Sequence, residues 1–331
     1  MNDTMQAFVL EGSADQVSGS VKAIGTDALP EGDVTVKVEY SSINFKDAMV
    51  AHGVGKMVRT FPHIPGSDLA GTVEADRSGR FNAGDKVLVT GYDLGVAWFG
   101  GYAQYARVPV DWVVPLPEGL TTEEAMALGT AGFTAVLGVL ALERNGLAPE
   151  QGPVVVTGAS GGVGSIAVDI LARAGYQVVA SAGKADMAES LKKLGASEVV
   201  GRDAVQDESP KVLLKEQWAA AYDNVGGKTL ETLLRTVRTG GSIALAGNVG
   251  GNAFSSTVLP FILRGVNLLG VDSVNCPMKP RQEAWAKLAG GLKPRHLDDI
   301  GHVIDLAELP AKLEEILKGG ARGRYVVRLP Q

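Results

Sequence analysis

The chain has 331 residues, 45% hydrophobic and 21% charged, enough apolar content for two globular domains and too much for a disordered chain. A formal charge of −6 with no dense Lys/Arg run argues against a nucleic-acid partner. The single cysteine, Cys276, can make neither an intramolecular disulfide nor a thiolate metal cluster, which fits a reducing compartment.

The first residues, MNDTMQAFVLEGS, lack the basic start and apolar core of a secretion signal. The longest apolar candidate, residues 131–142, is interrupted by Thr134 and Gly138 and is too short to span a bilayer. These features predict a soluble cytoplasmic protein with no membrane partner.

Up to about residue 125 the chain carries short β-type runs: QAFVLE, DVTVKVEYSSI, LAGTVEA, DKVLVTGY, YAQYARVP and WVVPLP. Turn signals at EGD, NAGD and PEG separate them, which predicts a compact β-rich, barrel-like domain. From Thr121 the texture changes. TTEEAMALGTAGFTAVLGVLALERNG opens on a threonine cap with acids in its first turn and stops near Asn145-Gly146, as a helix should.

Strand and helix signals then alternate, from VVVTG and SIAVDILARAG through YQVVASAG, MAESLKKLGA, SEVVGRD and WAAAYDNVGG to TLETLLRTVRTGG, SIALAGNVGG, VLPFILRG and VNLLGVDS. Such alternation predicts a doubly wound parallel sheet covered by helices on both faces. The tail adds two helices, RQEAWAKLAGG and LPAKLEEILKGG, and a closing strand, RYVVRLP, which can return to the first domain. The expected division is residues 1–125 with 275–331, and residues 126–274.

GASGGVGS, residues 158–165, lies between the strand VVVT and a helix. Four glycines in eight residues would weaken either element, so a backbone requirement must hold them there. A strand, a tight glycine turn and a helix place backbone N–H groups and a positive helix end where a pyrophosphate can sit. In the dinucleotide fingerprint Ala159 takes the first place, Gly161 allows close phosphate approach and Gly164 allows helix-to-strand packing.

About 20 residues further on, an NAD-binding chain usually sets a carboxylate on the ribose hydroxyls. Here Ser181, Ala182, Gly183 and Lys184 stand there, with no carboxylate before Asp186. A hydroxyl and an ammonium would accept a phosphate that a carboxylate would repel, which points to NADPH. Arg202, at the end of the next strand, is the candidate second cation on that phosphate.

The order of these motifs, with GTAGFTA, AYDNVGG and SIALAG, resembles the medium-chain dehydrogenase/reductase superfamily over nearly the whole chain. SSINFKDAMVAHG, FPHIPGSDLAGTV and TVLPFILRGVNLLGVDSV are similar, more narrowly, to the NADPH-dependent acryloyl-CoA reductases, a group related to quinone oxidoreductases. The resemblance implies a Rossmann domain beside a GroES-like barrel, and a soluble homodimer that pairs through VNLLGVDS. Zinc members hold the metal with Cys, His and acidic ligands, whereas PGSDLAG replaces their Gly-His-Glu segment and Cys276 stands alone. Metal-free chemistry is therefore expected.

The implied reaction moves a hydride to the β-carbon of an enoyl-CoA thioester, acryloyl-CoA, leaving an enolate that takes a proton. The alternatives are another enoyl thioester or a quinone as substrate, or a non-catalytic NADPH-binding role. The Asn-aromatic-Lys-Asp segment near the nicotinamide maps onto Asn44, Phe45, Lys46 and Asp47, with Phe45 where relatives commonly carry tyrosine. Phenylalanine cannot donate a proton, which leaves water or another side chain as the source. Asn44 is the candidate catalytic donor.

The same carry-over puts Phe45 and Thr130 near the nicotinamide, Ser160, Gly161, Gly162 and Val163 at the pyrophosphate, and Ala182, Gly183, Lys184 and Arg202 at the adenosine phosphate. Asn248, Ile262 and Ser273 would line the nicotinamide side. Lys46, Lys56 and Arg59 are candidate partners for the phosphates of coenzyme A.

Overall fold

The computed structural model describes residues 3–183, 185–320 and 322–331. It forms two compact units: residues 1–130, 274–289 and 297–331 in one, residues 131–273 and 290–296 in the other.

In the first unit, β1 (Thr4–Ser13) and β2 (Gln16–Gly25) pair antiparallel along their whole length. QVSGSVKAIG carries no strand signal of its own because its side chains are small or polar and mostly exposed; the pairing with β1 makes it a strand. There follow β3 (Val34–Ser42), α1 (Phe45–Ala51), β4 (Asp68–Asp76), β5 (Lys86–Thr90), β6 (Tyr105–Val108) and β7 (Val114–Pro115). Helix α2 (Thr122–Arg144) begins here and runs on into the second unit.

The second unit is built from β8 (Val154–Val156), α3 (Gly162–Arg173), β9 (Val178–Ser181), α4 (Ala188–Lys193), β10 (Glu198–Val200), β11 (Trp218–Asp223), α5 (Gly227–Thr236), β12 (Val237–Leu245), α6 (Leu259–Arg264) and β13 (Asn267–Gly270). The first unit resumes with α7 (Met278–Ala289), α8 (Leu297–Ile300), β14 (Gly301–Asp305), α9 (Leu309–Leu317) and β15 (Arg324–Arg328). Strand β15 pairs with β3, so the tail closes the β-rich unit as its pattern allowed.

The second unit's sheet is parallel throughout, in the order β10-β9-β8-β11-β12-β13. The expected doubly wound sheet is thus present, with its order reversing between β8 and β11, where the carboxyl ends of strands open a crevice for ligands. Central β11 reads WAAAYD and is buried along its length, which is why its run is apolar without alternation. Helix α5 turns Leu230, Leu233 and Leu234 into the core; each buried leucine contributes about 2 kcal/mol. The RTGG segment, read from sequence as the end of that helix, belongs instead to β12, whose pairing with β11 steps from Val237 directly to Ser242 and so skips it.

Helix α2 is long and apolar enough to cross a membrane by length and composition, yet it is mostly buried. It is also kinked at Gly129, whose φ of 51° and ψ of −154° are not helical. In the first unit a buried core gathers Val36, Val38, Leu69, Val87, Val89 and Val327 from the sheet with Leu309 and Leu313 of α9.

Candidate active site

Strand β8 delivers the glycine turn to the sheet's switch point. Gly158 has φ 57°, a left-handed backbone that glycine adopts without strain. A Cβ at Gly164 would lie 2.3 Å from the Gly158 carbonyl oxygen, so helix α3 packs on the turn only because position 164 has no side chain. At Gly161, the N-cap of α3, the nearest protein atom would be 3.3 Å from a Cβ, and the residue is exposed. The protein's own packing barely restricts that position, so a ligand approaching the helix end is the better reason for a glycine there.

The neighbouring strand end is pinned to this turn. Thr157 Oγ1 donates to Asp223 Oδ1 at 2.5 Å, the backbone N–H groups of Val225 and Gly226 donate to the same carboxylate, and Asn224 Nδ2 donates to the Thr157 carbonyl at 2.8 Å. Burial pushes the Asp223 carboxyl above its ordinary range, against the pull of these donors. Asn224 Oδ1 is buried and has no hydrogen-bond partner among the described residues. Because the Thr157 carbonyl can face only the amide N–H, the orphan atom must be an acceptor, one that a ligand hydroxyl or amide could satisfy. Asn224 and Asp223 were not singled out in the sequence, where DNVGG reads only as a strand end and turn. The loop after β12 lies beside them: a Cβ at Gly226 would meet the Gly251 oxygen at 2.9 Å and the Asn248 Cα at 3.4 Å.

At the adenosine end, a Cβ on Gly183 would lie 2.2 Å from Arg202 Nε and 2.5 Å from its Cζ. The guanidinium therefore lies across Gly183, and among the described residues it has no hydrogen-bond or ion-pair partner. Ser181 is buried, with its hydroxyl 3.4 Å from the Gly201 carbonyl. Ala182 N–H is bonded to the Val200 carbonyl. Lys184 lies outside the described residues. Ser160, Gly162 and Val163 line the turn half-buried.

In the first unit a buried charged cluster sits under the start of α1. Asp68, fully buried at the start of β4, accepts hydrogen bonds from Ser42 Oγ (2.5 Å), Asn44 Nδ2 (2.7 Å), Thr130 N–H (2.9 Å) and Thr130 Oγ1 (2.5 Å). Arg324 of β15 pairs with it at 3.7 Å and donates to the Ile43 carbonyl, Asn44 Oδ1 and Ser42 Oγ. Asp47 accepts from the N–H groups of Asn44 and Ser67, and burial, followed by the charge of Asp68, pushes its carboxyl above the usual range. Asp68 and Arg324 were not proposed from sequence; the residues of this cluster come from positions up to 282 apart.

The other candidates separate. Phe45 is 48% exposed and Lys46 half-buried in the first turn of α1, whereas Lys56, tied to Asp15, and exposed Arg59 follow its far end. In the second unit Asn248 donates to Asn252 Oδ1, Ser273 is buried with its hydroxyl accepting from Thr134 Oγ1, and Ile262 on α6 is 68% exposed. Asn248 and Ser273 follow the carboxyl ends of β12 and β13, on the side of the glycine turn.

Residues 30–118 match the alcohol dehydrogenase GroES-like domain family and residues 162–290 the zinc-binding dehydrogenase family. Acrylyl-CoA reductase AcuI of Ruegeria pomeroyi is 48% identical over 94% of both chains. The chain belongs to the medium-chain dehydrogenase/reductase superfamily. Within that superfamily it is similar to YhfP of Bacillus subtilis, solved with NAD bound, at 50% identity over 99% of this chain and 100% of that one, with a TM-score of 0.97. YhfP carries a provisional quinone oxidoreductase name. The yhdH oxidoreductase of Salmonella enterica, solved with NADP, is 47% identical over 98% of this chain and 100% of that one, with a TM-score of 0.95.

The zinc of other medium-chain dehydrogenases does not fit these residues. Cys276 is the single cysteine, and the Asp68 carboxylate is saturated by four donors and an arginine. Among the described residues no group of three or more His, Cys, Asp or Glu side chains is placed to hold a metal ion.

Proposed function

We propose that this protein is a zinc-independent, NADPH-dependent reductase that converts acryloyl-CoA to propanoyl-CoA. The observation that carries this reading is the 48% identity to an acrylyl-CoA reductase over 94% of both chains. The fit of the cofactor rests on the glycine turn at the α3 N-terminus, the orphan Asn224 Oδ1 and the Arg202 guanidinium lying over Gly183.

Bound NADPH supplies a hydride for the β-carbon of the thioester. The chain's part is to hold and orient. The α3 N-terminus with Ser160, Gly161, Gly162 and Val163 holds the pyrophosphate. Ser181, Ala182, Gly183, Lys184 and Arg202 hold the adenosine phosphate, and Thr130, Phe45, Asn248, Ile262 and Ser273 shape the nicotinamide side. Lys46 is the nearest cation of α1 for the phosphates of coenzyme A, with Lys56 and Arg59 beyond its far end. Both Asn44 amide N–H groups are already committed, to Asp68 and to Ser67 Oγ at 3.2 Å, so its role is orientation within the cluster.

Loss of NADPH absorbance with acryloyl-CoA, beside crotonyl-CoA, a simple quinone and NADH, tests the proposal. Fast turnover confined to acryloyl-CoA and NADPH is the expected outcome. Preferential quinone turnover would favour the second reading, which the provisional name of YhfP supports, and tight NADPH binding without turnover of any substrate would favour a non-catalytic role.

The active species is a cytoplasmic homodimer. Strand β13 leaves one edge of the six-stranded sheet unpaired among the described residues, and Val249, Phe254, Val258, Phe261, Ile262 and Leu263 form an exposed apolar run before it. A second copy would cover both.

A further inference from the structure

The glycine turn, Asp223 and Asn224 occupy the carboxyl end of the second unit's parallel sheet, and the amino end carries a cavity of about 340 Å³, large enough for a small molecule. The turn after α2, Gln151, the first residues of β11 and residues 238–242 of β12 bound it. Sheet register decides which side chains face it. Ala220 pairs with Ser242 and Ser242 with Asn267, so these three share one face of the sheet. Tyr222, two residues along β11, shares that face and donates its hydroxyl to the Thr134 carbonyl of α2 at 2.7 Å. Helix α2 therefore covers this face, and the cavity opens where the cover ends, beside Leu147.

Two lining residues have donors to spare. Arg238 gives Nη1 to the Gln151 carbonyl at 2.7 Å, and among the described residues nothing accepts from Nε or Nη2, the edge that grips a carboxylate with two parallel bonds. A Cβ at Gly152 would lie 2.5 Å from Nη1, so the guanidinium rests on bare glycine backbone. Ser242 is 4% exposed; its Oγ accepts from Asn267 Nδ2 at 3.4 Å, and its own proton has no acceptor among the described residues. Leu147, Ala219 and Ala220 are buried and add an apolar wall. Glu216 is already held by Thr239 Oγ1 at 2.7 Å and by Arg264 Nε at 3.4 Å. Its charge, next to the lining Thr239, disfavours a dianion more than a monoanion.

We propose that this cavity is a second ligand site, at the opposite end of the sheet from the glycine turn, for a short aliphatic carboxylate. The free edge of Arg238 and the Ser242 hydroxyl donate to the carboxylate oxygens, and Leu147, Ala219 and Ala220 pack on the alkyl chain. One cation meets one anion, and the buried hydroxyl gains the acceptor that the protein does not supply. The site stands apart from the NADPH reading above and does not depend on it.

Titration of the ¹⁵N-labelled full-length protein with sodium propanoate tests the proposal, with the backbone amide resonances of Gly240, Gly241 and Ser242 as the local readout. These resonances should shift in a saturable way, both alone and with NADPH added. Propanamide, which has the same shape without the charge, should bind about tenfold more weakly, the worth of a charge-assisted hydrogen bond. R238Q should weaken propanoate by about tenfold or more and S242A by about threefold, with NADPH affinity unchanged in both. Shifts confined to other amides, or shifts that NADPH abolishes, would place the anion elsewhere and overturn the proposal. So would propanamide or sodium phosphate binding as tightly as propanoate, or an R238Q protein that binds propanoate like the wild type. If R238Q does not fold, S242A decides, since it removes a single hydroxyl; unchanged propanoate affinity there would overturn the site.

Discussion

Two glycines of one turn are held by different causes, and substitution separates them. A side chain at Gly164 would collide with the turn's own backbone, so Gly164→Ala should lower stability by about 1–3 kcal/mol, the usual cost of overpacking, and show as a reduced Tm. A side chain at Gly161 meets little of the protein and would stand where the proposed pyrophosphate would approach. Gly161→Val should therefore keep a near-native Tm while NADPH affinity, measured by calorimetry, falls by at least about tenfold. Unchanged affinity in a folded Gly161→Val protein would refute the phosphate cradle. Gly183 belongs to the same class of constraint, since its missing Cβ is the space that Arg202 occupies.

At the scale of elements, α2 is the informative case. Its acids, threonine cap and apolar run are legible as one helix, and the structure divides that helix at a kink at Gly129. The break exists because the N–H of Thr130 is worth more on a buried carboxylate than in the helical ladder. Gly129→Ala would force a Cβ among three fixed polar atoms and a left-handed φ on alanine. Breaking a buried ion pair typically costs about 3–5 kcal/mol, so a Tm drop of about 6 °C or more is expected in a thermal melt. A melt within about 1 °C of wild type would show that the kink is not tied to the cluster. Helix α7 carries a second buried cation. Arg281 is fully enclosed, donates to the carbonyls of Thr90, Val274 and Cys276, and lies 4.3 Å from the centre of the Tyr92 ring.

At the scale of the whole molecule, the proposed homodimer would pair through the exposed run on and before α6 and the open edge of β13. Light scattering should give twice the 34.4 kDa chain mass for the wild type, and the pair Val258→Glu with Leu263→Glu should give the chain mass, because two buried charges per copy would lose their water. A dimer that survives the double substitution would move the interface elsewhere.

The sequence by itself determined the β-rich part, the parallel α/β part that follows it and the glycine turn between strand and helix. Those rest on local signals, since hydrophobic period, turn glycines and the residues after a strand are read within a few neighbours. It also settled that no thiolate set for zinc exists, a matter of counting. Strand β2 escaped it because its neighbour β1, rather than its own composition, makes it extended, and the RTGG segment because it is the irregular stretch of β12 between the two places that pair with β11. The roles of Asp68, Arg324, Asp223 and Asn224 were decided only by tertiary structure. A carboxylate becomes a buried anchor when residues from β3, α2 and β15 converge on it, and an asparagine becomes an orphan acceptor when its N–H is taken and its oxygen is not. Such properties depend on burial and on the direction of each hydrogen bond, which no single position in a sequence encodes.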